Sequence, residues 1–228
     1  MYKVLIIDSD AAFAKQLYIH LVDENYSVEF TSKSVDGLKW LRNNSCDLVI
    51  VDEALPSISG VEVLIDIRKH SNIPIIMLTT NEDDITKVVE LELGADDVIH
   101  KSCRPQELIA RIRAIKRRCN EKYPIDNFSE IVIGPMNINL QSRTITVHQN
   151  TLKLTGVEFN IIAKLATNVG QIVAKEELSI SALGKPLTRY DRSIDVHISH
   201  LRSKLGPRPD KKSWIQSVRG QGYQLSPL

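Results

Sequence analysis

Residues 47–60 read DLVIVDEALPSISG, and this stretch decides the fold of the first half of the chain. Leu48–Val51 is an unbroken apolar run, which is typical of a strand buried on both faces of a parallel sheet. The proline, serine and glycine that follow predict a loop, and Val61–His70 predicts a helix. Since ligands bind at the carboxyl ends of such strands, Asp52 would lie beside a crevice. A single Asp after a strand is also a common cap or turn residue, so the other strands must decide its role.

Four predicted strands end in a polar residue at the same edge of the sheet. Residues 2–119 alternate strands and helices five times, which predicts an α/β fold with a doubly wound, five-stranded parallel sheet of flavodoxin-like type. The strands end at Asp8, Asp52, Thr79 and Lys101. Carboxylates that meet in one crevice repel unless a cation lies between them, and Mg²⁺ suits that role. A phosphoryl group entering there would be held by the metal, the Lys101 ammonium and the Thr79 hydroxyl.

Composition indicates two domains of opposite charge. Residues 1–122 of the 228-residue chain carry 16 Lys and Arg against 20 Asp and Glu, whereas residues 123–228 carry 13 against 8. This asymmetry favours a control domain and a polyanion-binding domain, although ordinary surface variation also reaches such values. Three widely spaced cysteines predict neither a metal cluster nor a disulfide framework. Together with the missing signal-peptide pattern and the missing apolar span, they predict a cytoplasmic protein with no membrane contact.

Residues 131–228 have the pattern of an α+β winged helix-turn-helix domain, joined to the first domain by a polar linker over 120–130. Short strands are followed by a helix that Thr155 and Glu158 cap reciprocally. The longest basic helix is predicted over Asp191–Leu205, and its apolar stripe should face the core. A hairpin whose tip carries Arg219 follows it.

The outward face of the basic helix is the predicted surface for double-stranded DNA. The helix would enter the major groove and the hairpin the minor groove, with Ser193, Val196 and His200 at base edges. Arg202 and Lys204 are assigned mainly to phosphates. A solvated face is the commoner role for basic helices in general. The predicted DNA-binding residues are Ser193, Val196, His197, His200, Arg202, Lys204 and Arg219.

The chain resembles a known family in both halves. VLIIDSD, DLVIVDEALPSISG, PIIMLTT, LELGADD and HKSCRPQELIARIRA resemble the receiver domain of two-component response regulators. RSIDVHISHLRSKL followed by WIQSVRGQGYQL resembles the OmpR/PhoB-type DNA-binding domain, and ALGKPLTRYDRSIDVHISHLR is most similar to its CpxR-like branch. The resemblance covers nearly the whole chain. It implies a transcription regulator with a receiver over 1–119 and a DNA-binding domain over 131–228, and not an enzyme.

The resemblance also implies the roles of individual residues. Asp52 would accept a phosphoryl group from a sensor histidine kinase, and a Mg²⁺ ion would be held by Asp8, Asp52 and Ala54. Asp8 and Ser9 correspond to the family's acidic pair, Thr79 to its switch hydroxyl and Lys101 to its phosphate-sensing lysine. The family pairs receivers through the fourth helix, fifth strand and fifth helix. The matching charges across a two-fold axis are Lys87 with Glu107 and Asp97 with Arg111, and pairing within one receiver is the alternative. RNA polymerase is a further implied partner.

Three positions depart from the family pattern. Ser9 replaces an acidic residue, which predicts weaker Mg²⁺ binding. Val98 replaces the aromatic switch residue of the fifth strand. Ser102 replaces a proline that commonly follows a cis bond, and a cis bond before Ser costs about 2.5–4 kcal/mol, so a trans peptide is expected after Lys101.

Two other functions are compatible with parts of the sequence. The three departures motivate a transcription factor whose receiver acts as a dimerisation module without phosphorylation. Asp8-Ser9-Asp10 after a strand also fits a haloacid-dehalogenase-like phosphatase. That class places its lysine before its last acidic pair, whereas Lys101 follows Asp96 and Asp97, and it leaves the second half of the chain unexplained.

Overall fold

The computed structural model describes residues 1–81, 83–120, 130–188 and 191–227. These residues form two compact units, Met1–Lys116 and Arg117–Leu228. The predicted linker over 120–130 lies outside the described residues, apart from its first and last positions.

The first unit is a five-stranded parallel sheet of order β2-β1-β3-β4-β5, with the five helices in the crossover positions, as predicted. Every residue of β3 and β4 is buried, which explains why their sequences are continuous apolar runs. The elements are β1 (Lys3–Ile7), α1 (Ala11–Asp23), β2 (Ser27–Thr31), α2 (Ser34–Asn43), β3 (Leu48–Asp52), α3 (Gly60–His70), β4 (Ile75–Thr79), α4 (Asp84–Glu92), β5 (Asp97–His100) and α5 (Pro105–Asn120).

Local signals start the helices that flank the sheet edge. The side chain of Asp10 accepts hydrogen bonds from the N–H groups of Ala12 and Phe13 in the first turn of α1, and Ser59 forms a reciprocal capping box with Glu62 at the start of α3. Gly60 begins α3 directly above the end of β3. A Cβ atom at this position would lie 2.0 Å from the carbonyl oxygen of Asp52, so only glycine permits this approach.

The described residues of the second unit form a four-stranded antiparallel sheet of order β6-β7-β8-β9, three helices, and a three-stranded sheet of order β10-β12-β11. Thr155 and Glu158 form the predicted capping box. Strand β10 is not predicted, because three residues with only one buried side chain give no usable pattern. The elements are β6 (Glu130–Ile133), β7 (Met136–Asn139), β8 (Thr144–Val147), β9 (Asn150–Thr151), α6 (Gly156–Thr167), β10 (Ile172–Ala174), α7 (Lys175–Leu183), α8 (Ser193–Leu205), β11 (Ile215–Val218) and β12 (Gly222–Leu225).

The core of the second unit lies between its helices and sheets. The predicted stripe of α8, formed by Ile194, Ile198, Leu201 and Leu205, is buried in it together with Trp214. Burying such apolar surface contributes roughly 25 cal/mol per Å². In the part of the chain that the structure describes, no helix is long and apolar enough to cross a membrane.

Candidate functional site

Three of the four predicted strand ends meet at the carboxyl edge of the first unit's sheet. Asp8 follows β1, Asp52 ends β3 and is only 2% exposed, and Lys101 follows β5. The Lys101 Nζ atom lies 2.8 Å from Asp8 Oδ1 and 2.9 Å from Asp52 Oδ2. The ammonium group therefore lies between the two carboxylates and compensates their repulsion.

Backbone and hydroxyl donors orient the two carboxylates. Asp52 Oδ1 accepts from the Ala54 N–H at 3.1 Å, and Asp52 Oδ2 accepts from the Ser9 hydroxyl at 3.3 Å. Asp8 Oδ1 accepts from the Asp10 N–H at 2.8 Å. Each carboxylate is thus held in one orientation at the crevice.

Burial and pairing shift the protonation of this cluster. Burial raises the pKa of Asp8, and the neighbouring Asp52 adds to the effect, while the Lys101 hydrogen bond opposes it. Burial alone would lower the pKa of Lys101, but its hydrogen bonds to Asp8 and Asp52 outweigh this and raise the pKa. Lys101 therefore stays charged at neutral pH.

The donor atoms fit a hard divalent cation. Asp8 Oδ2 is buried and has no hydrogen-bond partner among the described residues, so it offers a lone pair to a ligand. The carbonyl oxygen of Ala54 lies beside the carboxylates and accepts from the Ser9 hydroxyl at 3.3 Å. Within the described ranges no cluster of three or more His, Cys, Asp or Glu side chains is arranged for a metal. Two carboxylates and one carbonyl would fill part of the coordination sphere of Mg²⁺. Water would fill the remaining coordination positions, as is usual for this ion.

Thr79 departs from the predicted arrangement. It is buried at the end of β4, but its hydroxyl donates to the Glu53 carboxylate rather than pointing to Lys101 or Asp52. The Thr79 Oγ1 atom also accepts from the Asn81 N–H at 2.9 Å. Glu53 is thus a site residue that sequence analysis missed, although its position directly after Asp52 was visible.

The loop after Lys101 has the expected trans geometry. None of the described peptide bonds is cis, including the bond between Lys101 and Ser102. The Lys101 N–H donates to the Thr79 carbonyl at 2.8 Å, and the Cys103 N–H donates to the His100 carbonyl at 2.9 Å. His100 contacts this loop through its ring and is a second residue that sequence analysis missed.

The predicted outward position of three α8 residues is wrong. Ser193, Val196 and His197 are all buried, so their side chains are not available to DNA bases in this conformation. Ser193 and His197 flank the apolar stripe, and the Ser193 hydroxyl donates to Asp191 Oδ1 at 2.6 Å. Val196 lies on the side opposite the stripe, and the stripe does not account for its burial.

Two basic residues predicted on α8, Lys204 and Arg202, are hydrogen-bonded within their own domain. Lys204 Nζ lies 2.8 and 2.6 Å from the two carboxylate oxygens of Glu158 in α6, and His200 Nδ1 lies 3.8 Å from the same carboxylate. The Arg202 guanidinium donates to the Ile215 carbonyl at 3.0 Å and to the Ser217 hydroxyl at 2.9 Å. Side-chain hydrogen bonds therefore connect α8 to α6 on one flank and to β11 on the other.

Other residues form the exposed outer face of α8. Ser199 and Ser203 of α8, and Arg192 directly before the helix, are exposed, and at about 3.6 residues per turn they fall opposite the apolar stripe. Their spacing of seven and four residues is the helical signal that could have found them. Arg219 is exposed at the tip of the hairpin between β11 and β12, where it was predicted.

Comparisons with known proteins agree with this two-part architecture. Residues 4–113 match the family described as "Response regulator receiver domain", and residues 149–225 match "Transcriptional regulatory protein, C terminal". The chain is 41% identical over 228 residues to "Transcriptional regulatory protein CpxR homolog" of Haemophilus influenzae, covering 99% of both chains. It is 37% identical to CpxR of Escherichia coli, covering 99% of this chain and 98% of that one. This chain is a response regulator of the OmpR/PhoB family.

A solved structure supports the same assignment. The response regulator DrrB, described as a Thermotoga maritima OmpR/PhoB homolog, is 25% identical over 99% of both chains, with a TM-score of 0.53. The present response regulator is thus a DNA-binding transcription regulator of a two-component system, with DNA and a sensor kinase as partners. Its family consists of transcription regulators rather than enzymes, and no comparison favours the phosphatase alternative.

Three of the four charges predicted at the receiver dimer interface lie beside one another within one receiver of this response regulator. Arg111 lies 2.9 Å from Asp97 Oδ2 and 2.7 Å from Glu107 Oε1. These are contacts within a single copy of the receiver. Lys87, the fourth residue of the set, lies on α4.

Proposed function

We propose that phosphorylation of Asp52 controls DNA binding by this response regulator. The proposal is carried by one observation, the Lys101 ammonium 2.9 Å from Asp52 Oδ2 inside a buried acidic crevice. An Asp52 oxygen would form a bond to phosphorus while the bond from phosphorus to the kinase histidine breaks. Lys101 would then exchange its contact with Asp52 for one with the incoming phosphoryl oxygens.

A Mg²⁺ ion belongs to the same proposal. Asp8, Asp52 and Ala54 would hold it, and it would supply positive charge to the phosphoryl oxygens. Ser9 gives a neutral hydroxyl in place of a second acidic ligand, so the site carries one negative charge fewer. We therefore expect weaker binding than in a receiver with two adjacent acids.

Replacing Asp52 with Asn tests the phosphoacceptor. A small-molecule phosphodonor with Mg²⁺ should add one phosphoryl group to the wild-type chain, read by intact mass, and none to Asp52→Asn, because the amide is a far poorer nucleophile. Asp36→Asn is a matched control on an exposed surface and should be labelled like wild type. Equal labelling of Asp52→Asn would remove Asp52 from the role.

A receiver that acts without phosphorylation is the second candidate. It is favoured by the Thr79 hydroxyl, which is committed to Glu53 and not free to follow a phosphoryl group. In that case the wild-type chain would stay unlabelled while binding its DNA fully.

Dimerisation through α4, β5 and α5 and contact with RNA polymerase complete the proposal, on the support of family membership. In a dimer, Arg111 would exchange its partner Asp97 for the same residue of a second copy. The Arg111 and Asp97 side chains are only 21% and 7% exposed. Exchanging one such pair for an equivalent one keeps the interaction, so the pairs would set the register of the dimer more than its affinity.

We further propose that Arg192, Ser199 and Ser203 form the DNA-facing surface of α8. Ser199→Ala should cost about 1–3 kcal/mol on the preferred site only, because the hydroxyl would contact a base edge. Arg192→Ala should weaken binding to all sequences alike and reduce the salt slope by about one unit. Binding titrations over salt and over operator variants measure both effects.

The exposed Lys212, in the segment between α8 and β11, supplies the control. Lys212→Ala should leave the preference among operator variants unchanged. If Val196→Ala altered sequence preference while Ser199→Ala did not, α8 would have to dock through a face that is buried here.

A further inference from the structure

The His100 imidazole closes the loop that carries Lys101. Its Nδ1 atom lies 3.1 Å from the Ser102 backbone nitrogen and 2.6 Å from the Ser102 hydroxyl oxygen. Its Nε2 atom lies 3.0 Å from the carbonyl oxygen of Thr80, the residue directly after β4. Both ring nitrogens of His100 therefore have a hydrogen-bond partner.

These contacts define the tautomer of His100. A backbone N–H can only donate and a backbone carbonyl can only accept, so Nδ1 is the acceptor and Nε2 carries the proton. The neutral ring thus accepts from Ser102 and donates to Thr80. It connects the end of β5 to the end of β4 through one side chain.

The contacts of His100 surround Lys101. The Lys101 N–H donates to the Thr79 carbonyl, and the turn from His100 to Cys103 is closed by a backbone hydrogen bond of 2.9 Å. Lysine has a long flexible stem, so its ammonium reaches Asp8 and Asp52 reproducibly only if its backbone is fixed. Ser102 stands where the family has proline, and its free N–H needs a partner, which His100 supplies.

We propose that His100 is a positioning residue for phosphorylation, which holds the loop so that the Lys101 ammonium reaches the acidic crevice. This inference rests on the proposed role of Asp52. It assigns to a histidine side chain the rigidity that a proline gives elsewhere in the family. His100 acts through Lys101 and does not itself touch the phosphoryl group.

The test dissects the two contacts of the ring in the full-length chain. His100→Leu removes both and should slow labelling of Asp52 by a small-molecule phosphodonor roughly tenfold, since a displacement near 1 Å can cost up to 10²-fold. His100→Asn places an acceptor where Nδ1 stands, restores the bond from the Ser102 N–H, and should recover most of the rate. His100→Gln, whose amide reaches toward Thr80, should recover less.

Repeating the His100→Leu substitution in a Lys101→Met variant distinguishes positioning of Lys101 from a general disruption of the fold. In Lys101→Met the ammonium is absent, so adding His100→Leu should slow labelling no further. The exposed His70 provides a control, and His70→Leu should label like wild type. Equal slowing by His100→Leu in both backgrounds, or no slowing in either, would overturn the inference. Labelling of the wild type at Asp52 keeps that outcome distinct from a failure of the proposed function.

Discussion

Replacing Glu90 with Gln is expected to raise the free energy of unfolding of the first unit by a few kcal/mol at pH 8, and to change it little near pH 4. Glu90 lies on α4 with 0% of its surface exposed, and neither carboxylate oxygen has a hydrogen-bond partner among the described residues. Burial, together with the negative charge of Glu53, raises the pKa of Glu90 from 4.5 to about 8.

The direction of the pH dependence follows from proton binding. Below pH 4.5 Glu90 is protonated in both the folded and the unfolded chain, and no stability is lost. Between 4.5 and about 8 the unfolded chain releases the proton while the folded chain retains it, so stability falls by up to 1.36 kcal/mol per pH unit. Above about pH 8 the loss is complete. Gln does not titrate, so the variant avoids this loss.

Hydrogen exchange of the β3 and β4 amides reports unfolding of the first unit in the intact chain. The difference between Glu90→Gln and wild type should grow between pH 5 and 8 and then level off. Glu92→Gln, an exposed change on the same helix, should show no such growth. A constant difference across this range would mean that Glu90 is charged in the folded state and has a partner.

The acidic crevice is the part of the site that sequence reasoning could reach. In a parallel sheet the strand ends share one edge by topology, so apolar runs ending at Asp8 and Asp52, followed by Lys101, necessarily bring the three side chains together. This convergence follows from the sheet topology and does not depend on how the side chains of the core pack. The sequence prediction directed the Thr79 hydroxyl into the crevice, whereas it donates to Glu53. The strand pattern does not locate this competing acceptor.

The DNA interface shows where the sequence pattern stops being informative. Helical periodicity gives the angle of each α8 residue around the axis, and it placed the apolar stripe correctly. It does not show what packs against the flanks. On one flank Lys204 donates to the Glu158 carboxylate of α6, and on the other Arg202 donates to a carbonyl of β11. Two basic residues that the sequence pattern assigns to DNA therefore already have partners within the domain.

Replacing Lys204 with Met is expected to destabilise the second unit rather than to weaken DNA binding directly. The Glu158 carboxylate is only 1% exposed, and Lys204 is bonded to both of its oxygens. Removing one partner of a buried pair costs about 3–5 kcal/mol, because a buried charge is left uncompensated. The Lys204 side chain is 35% exposed, so water reaches the gap and we expect a smaller loss, about 2–3 kcal/mol.

The same variant discriminates between the two roles of Lys204. Glu158→Gln in the Lys204→Met background removes the uncompensated charge and should recover part of the stability, whereas the exposed Lys212→Met should cost nothing measurable. At a temperature where Lys204→Met is still folded, its affinity for DNA and its salt slope should equal those of wild type, since the ammonium is committed to Glu158. A salt slope lower by about one unit, with unfolding unchanged, would instead make Lys204 a phosphate contact.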